Sequence, residues 1–316
     1  MRKMSLAILL LLLITGSLFV GAHDMSLAGL MAGGEESHWM ILLKVRVPRT
    51  ISLLLAGAVM SLCGKIIQHL MQNKFVAADV IGLTDSARLG ILIVMLWLPN
   101  ASGLLRTTAA FLFSYAGVLL FLWLSRLIPK KDPMVLPLTG VMFGNVIGAV
   151  SSFLAYRFQL VQNVSSWLQG NFATVIEGNY ELIYLTLPIF ALLYFLAYEI
   201  TIAGLGETAA KNLGINYHVL RLLVFALVAF ASSVILLLVG SVPFLGVIIP
   251  NIVALFAGDH VRNNLFLISF SGSAFLLLCD LLARILIAPY ELPVSVVAGT
   301  IGGISFLVLL MRRKMV

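Results

Sequence analysis

The sequence predicts an all-α polytopic membrane protein of about ten transmembrane helices, with both termini in the cytoplasm. Three observations predict it. Of 316 residues, 61% are hydrophobic and only 10% charged, where soluble domains carry about 25% charged residues; mean hydropathy is +1.09. Apolar runs near the roughly 20 residues needed to cross a bilayer recur along the whole chain. The basic residues divide unequally between alternate loops, as the positive-inside bias requires.

The candidate spans are 4–22, 50–70, 80–98, 107–128, 134–156, 180–200, 219–240, 243–257, 264–286 and 293–311. The first begins like a secretory signal: Arg2 and Lys3 precede the run Leu6 to Ile14, and Val20-Gly21-Ala22 resembles a small-residue cleavage site. Its length and the spans that follow favour an uncleaved first span. The second is announced by Lys44-Val45-Arg46-Val47-Pro48-Arg49-Thr50. Pro48 is tolerated in the first turn, where its missing N–H costs little, and the arginines can snorkel toward the interface. The third carries Asp85 and Arg88 near its start, and 243–257 is short and follows Gly240 and Pro243, so these two are the weakest spans.

Threading ten spans with both ends inside places Arg2, Lys3, Lys74, Arg126, Lys130, Lys131, Lys211, Arg221, Arg262, Arg312, Arg313 and Lys314 on the inner side. Lys44, Arg46, Arg49, Arg106, Arg157 and Arg284 fall outside, twelve against six. Half of the outer six form the cluster before the second span, which asks for an acidic partner on that side. Residues 23–45 make a longer outer segment with Glu35, Glu36 and Trp39. Residues 201–218 make the longest inner one and read as a short helix. Glu207 sits near the positive end of its dipole, and Gly214 stops it after Leu213. Such a helix suits either docking of a soluble partner or a resting place on the membrane surface. No internal repeat or low-complexity segment is visible, so residues 1–316 read as one transmembrane domain.

Several function classes drop out. The net charge of +7 is scattered between apolar runs, which argues against nucleic acid. Cys63 and Cys279 lie inside apolar runs and read as small buried hydrophobes. Gly64-Lys65 resembles a phosphate loop but lacks the following Ser or Thr and the earlier glycine. No metal-spaced His/Cys set and no Ser/His/Asp set is present, and the sequons at Asn100 and Asn163 read as chance. The chain is expected to be no enzyme and to bind no metal or cofactor itself. Small residues that let helices approach closely stand out instead: Gly140, Gly144 and Gly148 with Ser152; Gly57, Ser61 and Gly64; Gly299, Gly302 and Gly303. Asp280 and Arg284, four apart, share a helix face and either pair with each other or leave Arg284 to face an external ligand.

Taken together, the motifs resemble the permease subunits of the iron-siderophore, haem and cobalamin class of ABC importers, over nearly the whole chain. Arg46-Val47-Pro48-Arg49-Thr50 looks like that family's Arg-Leu-Pro-Arg-Thr. Gly64-Lys65-Ile66-Ile67-Gln68 fits its Gly-x-x-x-Gln. Gly204-Leu205-Gly206-Glu207 through Leu213-Gly214 looks like its coupling-helix sequence, and Phe244-Leu245-Gly246 through Pro250-Asn251 like its Phe-x-Gly-Leu-x-x-Pro-His. Asp280 to Arg284, then Glu291-Leu292-Pro293, fits Asp-x-x-Ala-Arg and Glu-Leu-Pro.

The resemblance implies a type II ABC importer permease fold in a bacterial cytoplasmic membrane. It implies a second permease subunit, identical or paralogous, and two ATPase subunits that use ATP and Mg. It also implies an extracytoplasmic binding protein that delivers a ferric siderophore. By that resemblance Arg46, Arg49 and Arg284 dock the binding protein, which favours docking over a closed Asp280–Arg284 pair. Gly206, Glu207, Ala210, Leu213 and Gly214 belong to the coupling segment. Gly57, Gly64, Gln68, Gly140, Gly144, Gly148, Gly299 and Gly302 are expected in helix packing or along the pathway. Asn73-Lys74-Phe75-Val76 and Asp85-Ser86-Ala87-Arg88-Leu89-Gly90 depart from most members and resemble the subgroup importing catecholate-type siderophores such as petrobactin and anguibactin. Asn251 stands where the family usually has His. The competing readings are an ion-gradient-driven secondary transporter, or the same family with haem or cobalamin as cargo.

Overall fold

A computed structural model describes residues 2–21, 36–127, 135–162, 164, 169–258 and 260–313. Ala22, Glu35, Lys130, Lys131, Asn163 and Lys314, which entered the sequence reading, lie outside the described residues. The helices in chain order are α1 (Arg2–Phe19), α2 (Glu36–Ile41), α3 (Val47–Leu70), α4 (Leu83–Trp97), α5 (Gly103–Arg126), α6 (Val135–Arg157) and α7 (Thr186–Phe195). After them come α8 (Ala197–Ala203), α9 (Glu207–Asn212), α10 (Tyr217–Val239), α11 (Leu245–Ala257), α12 (Val261–Ile285) and α13 (Val294–Arg313). The only β-type pairing among the described residues is an isolated bridge between Gln169 and Ser241.

Every one of the ten apolar segments contains helix, but their lengths differ more than the composition foretold. Among the described residues, five helical stretches are long and apolar enough to cross a bilayer: His38–Leu70, Gly103–Arg126, Val135–Arg157, Tyr217–Val239 and Val261–Ile285. A sixth is a pair, Glu181–Phe195 and Ala197–Ala203, bent by 58°. With 15 residues α4 spans about 22 Å, and with 13 α11 spans about 20 Å, both short of a ~30 Å hydrocarbon core. Both are preceded by backbone that cannot continue a helix. Gly82 before α4 has φ +72° and Phe244 before α11 has φ +64°. Irregular backbone at such depth survives only where protein covers it, and the stretch before α4 is covered: Val76, Ala77 and Ala78 are buried.

The core is built around α3, whose residues Leu53, Leu62 and Ile66 are fully buried. It packs antiparallel to α12: Ser273 Oγ donates to Leu54 O at 2.6 Å near one end, and Gly57 meets Gly272 one turn further along α3. It packs parallel to α11, with Gly64 against Gly246 and Asn251 Nδ2 donating to Lys74 O at 2.9 Å beyond the helix end. A Cβ at Gly57 would stand 2.5 Å from Gly272 O, and one at Gly64 would collide with Gly246 backbone. These helices touch through their main chains, an approach that only glycine permits. Gln68 fastens the second contact, its Nε2 donating to Gly246 O at 3.2 Å and Val247 O at 3.3 Å.

The small-residue run on α6 faces the segment before α4. Gly140 lies against Val80 O, Gly144 against Gly82 and Asp85, and Gly148 beside the Asp85 carboxylate. The opposite face of α6 exposes Leu138, Met142, Val146 and Phe153. On α13, Gly299 meets Pro243 at 3.4 Å and Gly302 meets Phe244 Cβ at 2.9 Å, each measured from the position of an added Cβ. Gly303 faces open space.

Candidate functional site

The three arginines singled out from the sequence converge at one end of α3. Pro48 lies at the head of α3, so Arg49 enters the helix in its first turn and turns into the bundle. Its Nε donates to Asp280 Oδ1 at 3.0 Å and its Nη2 to the same oxygen at 2.6 Å. Its Nη1 donates to Glu291 Oε2 at 2.7 Å. Asp280, on α12, is shared: Arg284 Nη2 donates to Asp280 Oδ2 from the next turn. The i, i+4 pair therefore does form, and Arg49 joins it from across the bundle. Asp280 is 0% exposed, Arg49 5% and Arg284 6%.

The remaining donors go to the end of α1. Arg284 Nη1 donates to Ser17 O at 2.9 Å and Val20 O at 2.8 Å. Arg46 Nη1 donates to Leu18 O and Phe19 O, both at 2.8 Å. Ser17 Oγ and Thr50 Oγ1 lie 2.9 Å apart beneath them. The last carbonyls of a helix lack intrahelical partners and carry its negative dipole end, so two guanidinium groups are well placed there. Among the described residues Arg46, Arg49 and Arg284 share the cluster with two carboxylates, Asp280 and Glu291. Glu291, with its side chain 27% exposed, is its most accessible carboxylate. Arg284 Nε is buried with no hydrogen-bond partner among the described residues.

A second feature lies at the opposite end of α3, about 36 Å away for 24 residues of helix. There Gln72 Nε2 donates to Gly204 O at 3.0 Å and His69 Nε2 lies 3.1 Å from Thr201 O, tying α3 to the end of α8. Gly206 follows with φ +110°, a region essentially closed to side chains other than glycine's. It starts α9, which carries Glu207 at its head. Glu207 and Lys211 pair at 2.8 Å with both side chains about 60% exposed. The hydrogen bond and charge of Lys211 hold the Glu207 carboxyl below the usual range. Ala210 is buried and anchors the short helix, while Leu205 and Leu213 stand exposed on either side of it. Gly214 ends the segment with φ +79°.

The structure thus brings Arg46, Arg49 and Arg284 into one cluster and gathers Gly206, Glu207, Ala210, Leu213 and Gly214 at the other end. It also turns the three arginines inward rather than onto an open surface. The bonds from Arg49 to Asp280 and Glu291, and the backbone acceptors of α1, were not foreseen. Glu291 entered the sequence reading only through its Glu-Leu-Pro motif, with no partner assigned to it, and backbone carbonyls leave no mark in a sequence. Among the described residues no group of three or more His, Cys, Asp or Glu could hold a metal ion.

Motif order, helical architecture and the two polar ends are joined by direct similarity. The model of the FecCD transport family matches residues 9–312. The chain belongs to that family. It is 41% identical over 314 residues to the petrobactin import system permease protein YclN of Bacillus subtilis, covering 99% of both chains. It is 37% identical over 296 residues to the ferric-anguibactin transport system permease protein FatD of Vibrio anguillarum, covering 94% of both. A solved chain described as an inward-facing conformation of a metal-chelate type ABC transporter superposes with a TM-score of 0.84 at 25% identity, covering 99% of this chain and 100% of that one. This FecCD-family chain is a transport permease, a role without catalysis of its own.

Proposed function

We propose that this permease is a membrane subunit of an ATP-driven importer that carries a ferric siderophore of the catecholate type across the bacterial cytoplasmic membrane. The observation that carries the cargo class is full-length identity of 41% and 37% to permeases named for petrobactin and ferric-anguibactin. The subunit crosses ten times with both termini in the cytoplasm, the short helices α4 and α11 completing their crossings with covered irregular backbone. Two placements support this topology. Leu6 of α1 borders the same cavity as Phe256 and Asn263, and Leu309 of α13 borders one with Lys74, so both chain ends approach the end of α3 that holds α9.

In this reading the exposed Glu207 helix, flanked by Leu205 and Leu213, engages one of two ATPase subunits, which bind and hydrolyse ATP with Mg. The exposed apolar face of α6 suits contact with a second permease subunit or lipid. The arginine cluster receives the siderophore-binding protein. Because Arg46, Arg49 and Arg284 are buried in the isolated subunit, docking is an exchange. A carboxylate on the binding protein displaces Glu291 from Arg49 or takes the spare Arg284 Nε. Arginine suits the exchange because its fork accepts a carboxylate in more than one register, and such pairs steer and orient partners.

Growth on single iron sources tests the cargo. A strain lacking only this chain is expected to lose growth on ferric petrobactin-type chelates and to regain it with the gene restored, while growth on haem is unaffected. Loss of haem or cobalamin use with siderophore use intact would overturn the assignment.

A further inference from the structure

A groove opens beside the bend between α7 and α8, at the opposite end of α1 from the arginine cluster. A cavity of about 1050 Å3 lies there between α1, α7, α11 and α12, walled by Leu6, Tyr194, Ile252, Phe256, Phe266 and Phe270. Its volume stands at the top of the roughly 300–1,000 Å3 range of sites for compact ligands. It is also long: on α12 the lining runs from Asn263 to Ser271, about 12 Å of helix. Tyr194, Phe256 and Phe266 are each more than half exposed. The groove therefore opens sideways, which in a spanning chain means toward hydrocarbon.

Polar groups gather at one end of it. Asn264 Nδ2 donates to Gly258 O at 2.7 Å and closes the end of α11. Its neighbour Asn263 is exposed and lines the mouth. Arg262, also exposed, precedes it, and its guanidinium carbon stands 5.8 Å from the centre of the Tyr198 ring on α8. The register of α1 puts Arg2 and Lys3 one turn before Leu6 and Ala7, on the face that borders the cavity. Against these cations stand the half-buried Glu199 of α8 and, in sequence, Asp259, which lies outside the described residues. Among the described residues no carboxylate lines the cavity itself. Away from Asn263 the α12 wall is apolar, through Phe266, Leu267 and Phe270.

We propose that this groove seats an acyl chain of an anionic glycerophospholipid, with the headgroup phosphate held by Arg262 and the Asn263 amide. An apolar trough with cations at one end matches the two halves of such a lipid. Tyr194 and Tyr198 suit the boundary between them, where aromatic rings with a polar tip collect. A zwitterionic lipid would fill the trough equally well but gain less from the cations. Because α8 leads into the Gly206–Glu207 segment, the seated lipid rests against the helix pair that carries it. The proposed topology decides only which leaflet supplies the lipid, so binding is tested independently of topology and cargo.

The test reconstitutes the full chain in vesicles of equal phosphatidylglycerol and phosphatidylcholine and reads retained lipid by native mass spectrometry after mild detergent release. The wild type is expected to retain phosphatidylglycerol in preference to phosphatidylcholine. Arg262→Gln is expected to lower that preference about fivefold, the effect of one basic residue beside an anionic headgroup, and Arg262→Lys to keep most of it. Ser271→Phe fills the apolar end and is expected to lower retention of both lipids, while Gly272, which packs on Gly57, stays in place. Should Ser271→Phe fail to fold, Ala7→Phe fills the groove from the exposed side of α1.

Equal retention of the two lipids by the wild type, or phosphatidylglycerol retention that neither the Arg262 nor the groove-filling variant changes, would overturn the proposal. A dimer of the chain that the groove-filling variant alone loses would assign the groove to a protein neighbour and overturn it as well.

Discussion

Asp280 decides the arginine cluster at the scale of single residues. It is fully buried and each of its oxygens serves a different arginine. A buried ion pair adds little over an apolar pair of equal shape, but removing one partner strands the other charge, at a cost of about 3–5 kcal/mol. Asp280→Asn is therefore expected to lower stability by about that amount, read as thermal unfolding of the purified chain. Glu291→Gln removes a partly solvated carboxylate and is expected to cost about 1 kcal/mol or less. Equal losses in the two variants would contradict this ranking. The sequence offered the Asp280–Arg284 pair as one of two alternatives, because four-residue spacing on a helix is a local rule, although the family resemblance favoured an open Arg284; the pair forms. The Arg49 half was not legible, since its partner lies 231 residues away and only the packing of α3 on α12 brings them together.

Main-chain contact decides how α3 is held at the scale of elements. Gly57 and Gly64 were legible as a small face, but the helices they meet, α12 and α11, were not, because composition names no partner. Gly64→Val would push the α3 and α11 backbones apart and is expected to cost about 1–3 kcal/mol or more, seen as loss of folded chain in size-exclusion profiles. Gly303→Ala, which faces open space, is the control and is expected to fold as wild type. The short helix from Glu207 was read within a residue of its observed end at Asn212, because a charged head and a glycine stop are local signals. The 58° bend after Phe195 was not read, since neither glycine nor proline stands at Leu196. Gly206→Ala would force a side chain into a strained conformation costing about 1–3 kcal/mol. In the assembled transporter it is expected to reduce transport per ATP hydrolysed more than hydrolysis itself. Unchanged coupling would count against a role for this segment.

The whole molecule has two polar ends joined by α3. Counting apolar residues found ten segments that each contain helix, of which five, or six with the bent pair, are long enough to cross among the described residues; two are shortened where irregular backbone replaces helix at Gly82 and Phe244. The proposed orientation has a direct check in single cysteines, with native Cys63 and Cys279, both buried, replaced by Ser. Lys44→Cys and Arg106→Cys are expected to react with an impermeant maleimide in intact cells, and Lys211→Cys only after the membrane is opened; the reverse pattern would invert the topology. In the proposed function this permease moves its cargo only when a nucleotide-hydrolysing partner drives it. Uptake of radiolabelled iron chelate into proteoliposomes holding the permease, with and without the ATPase and binding protein, measures this most directly. Uptake that requires ATP and both partners is the expected result; uptake driven by a proton or sodium gradient through the permease alone would contradict it.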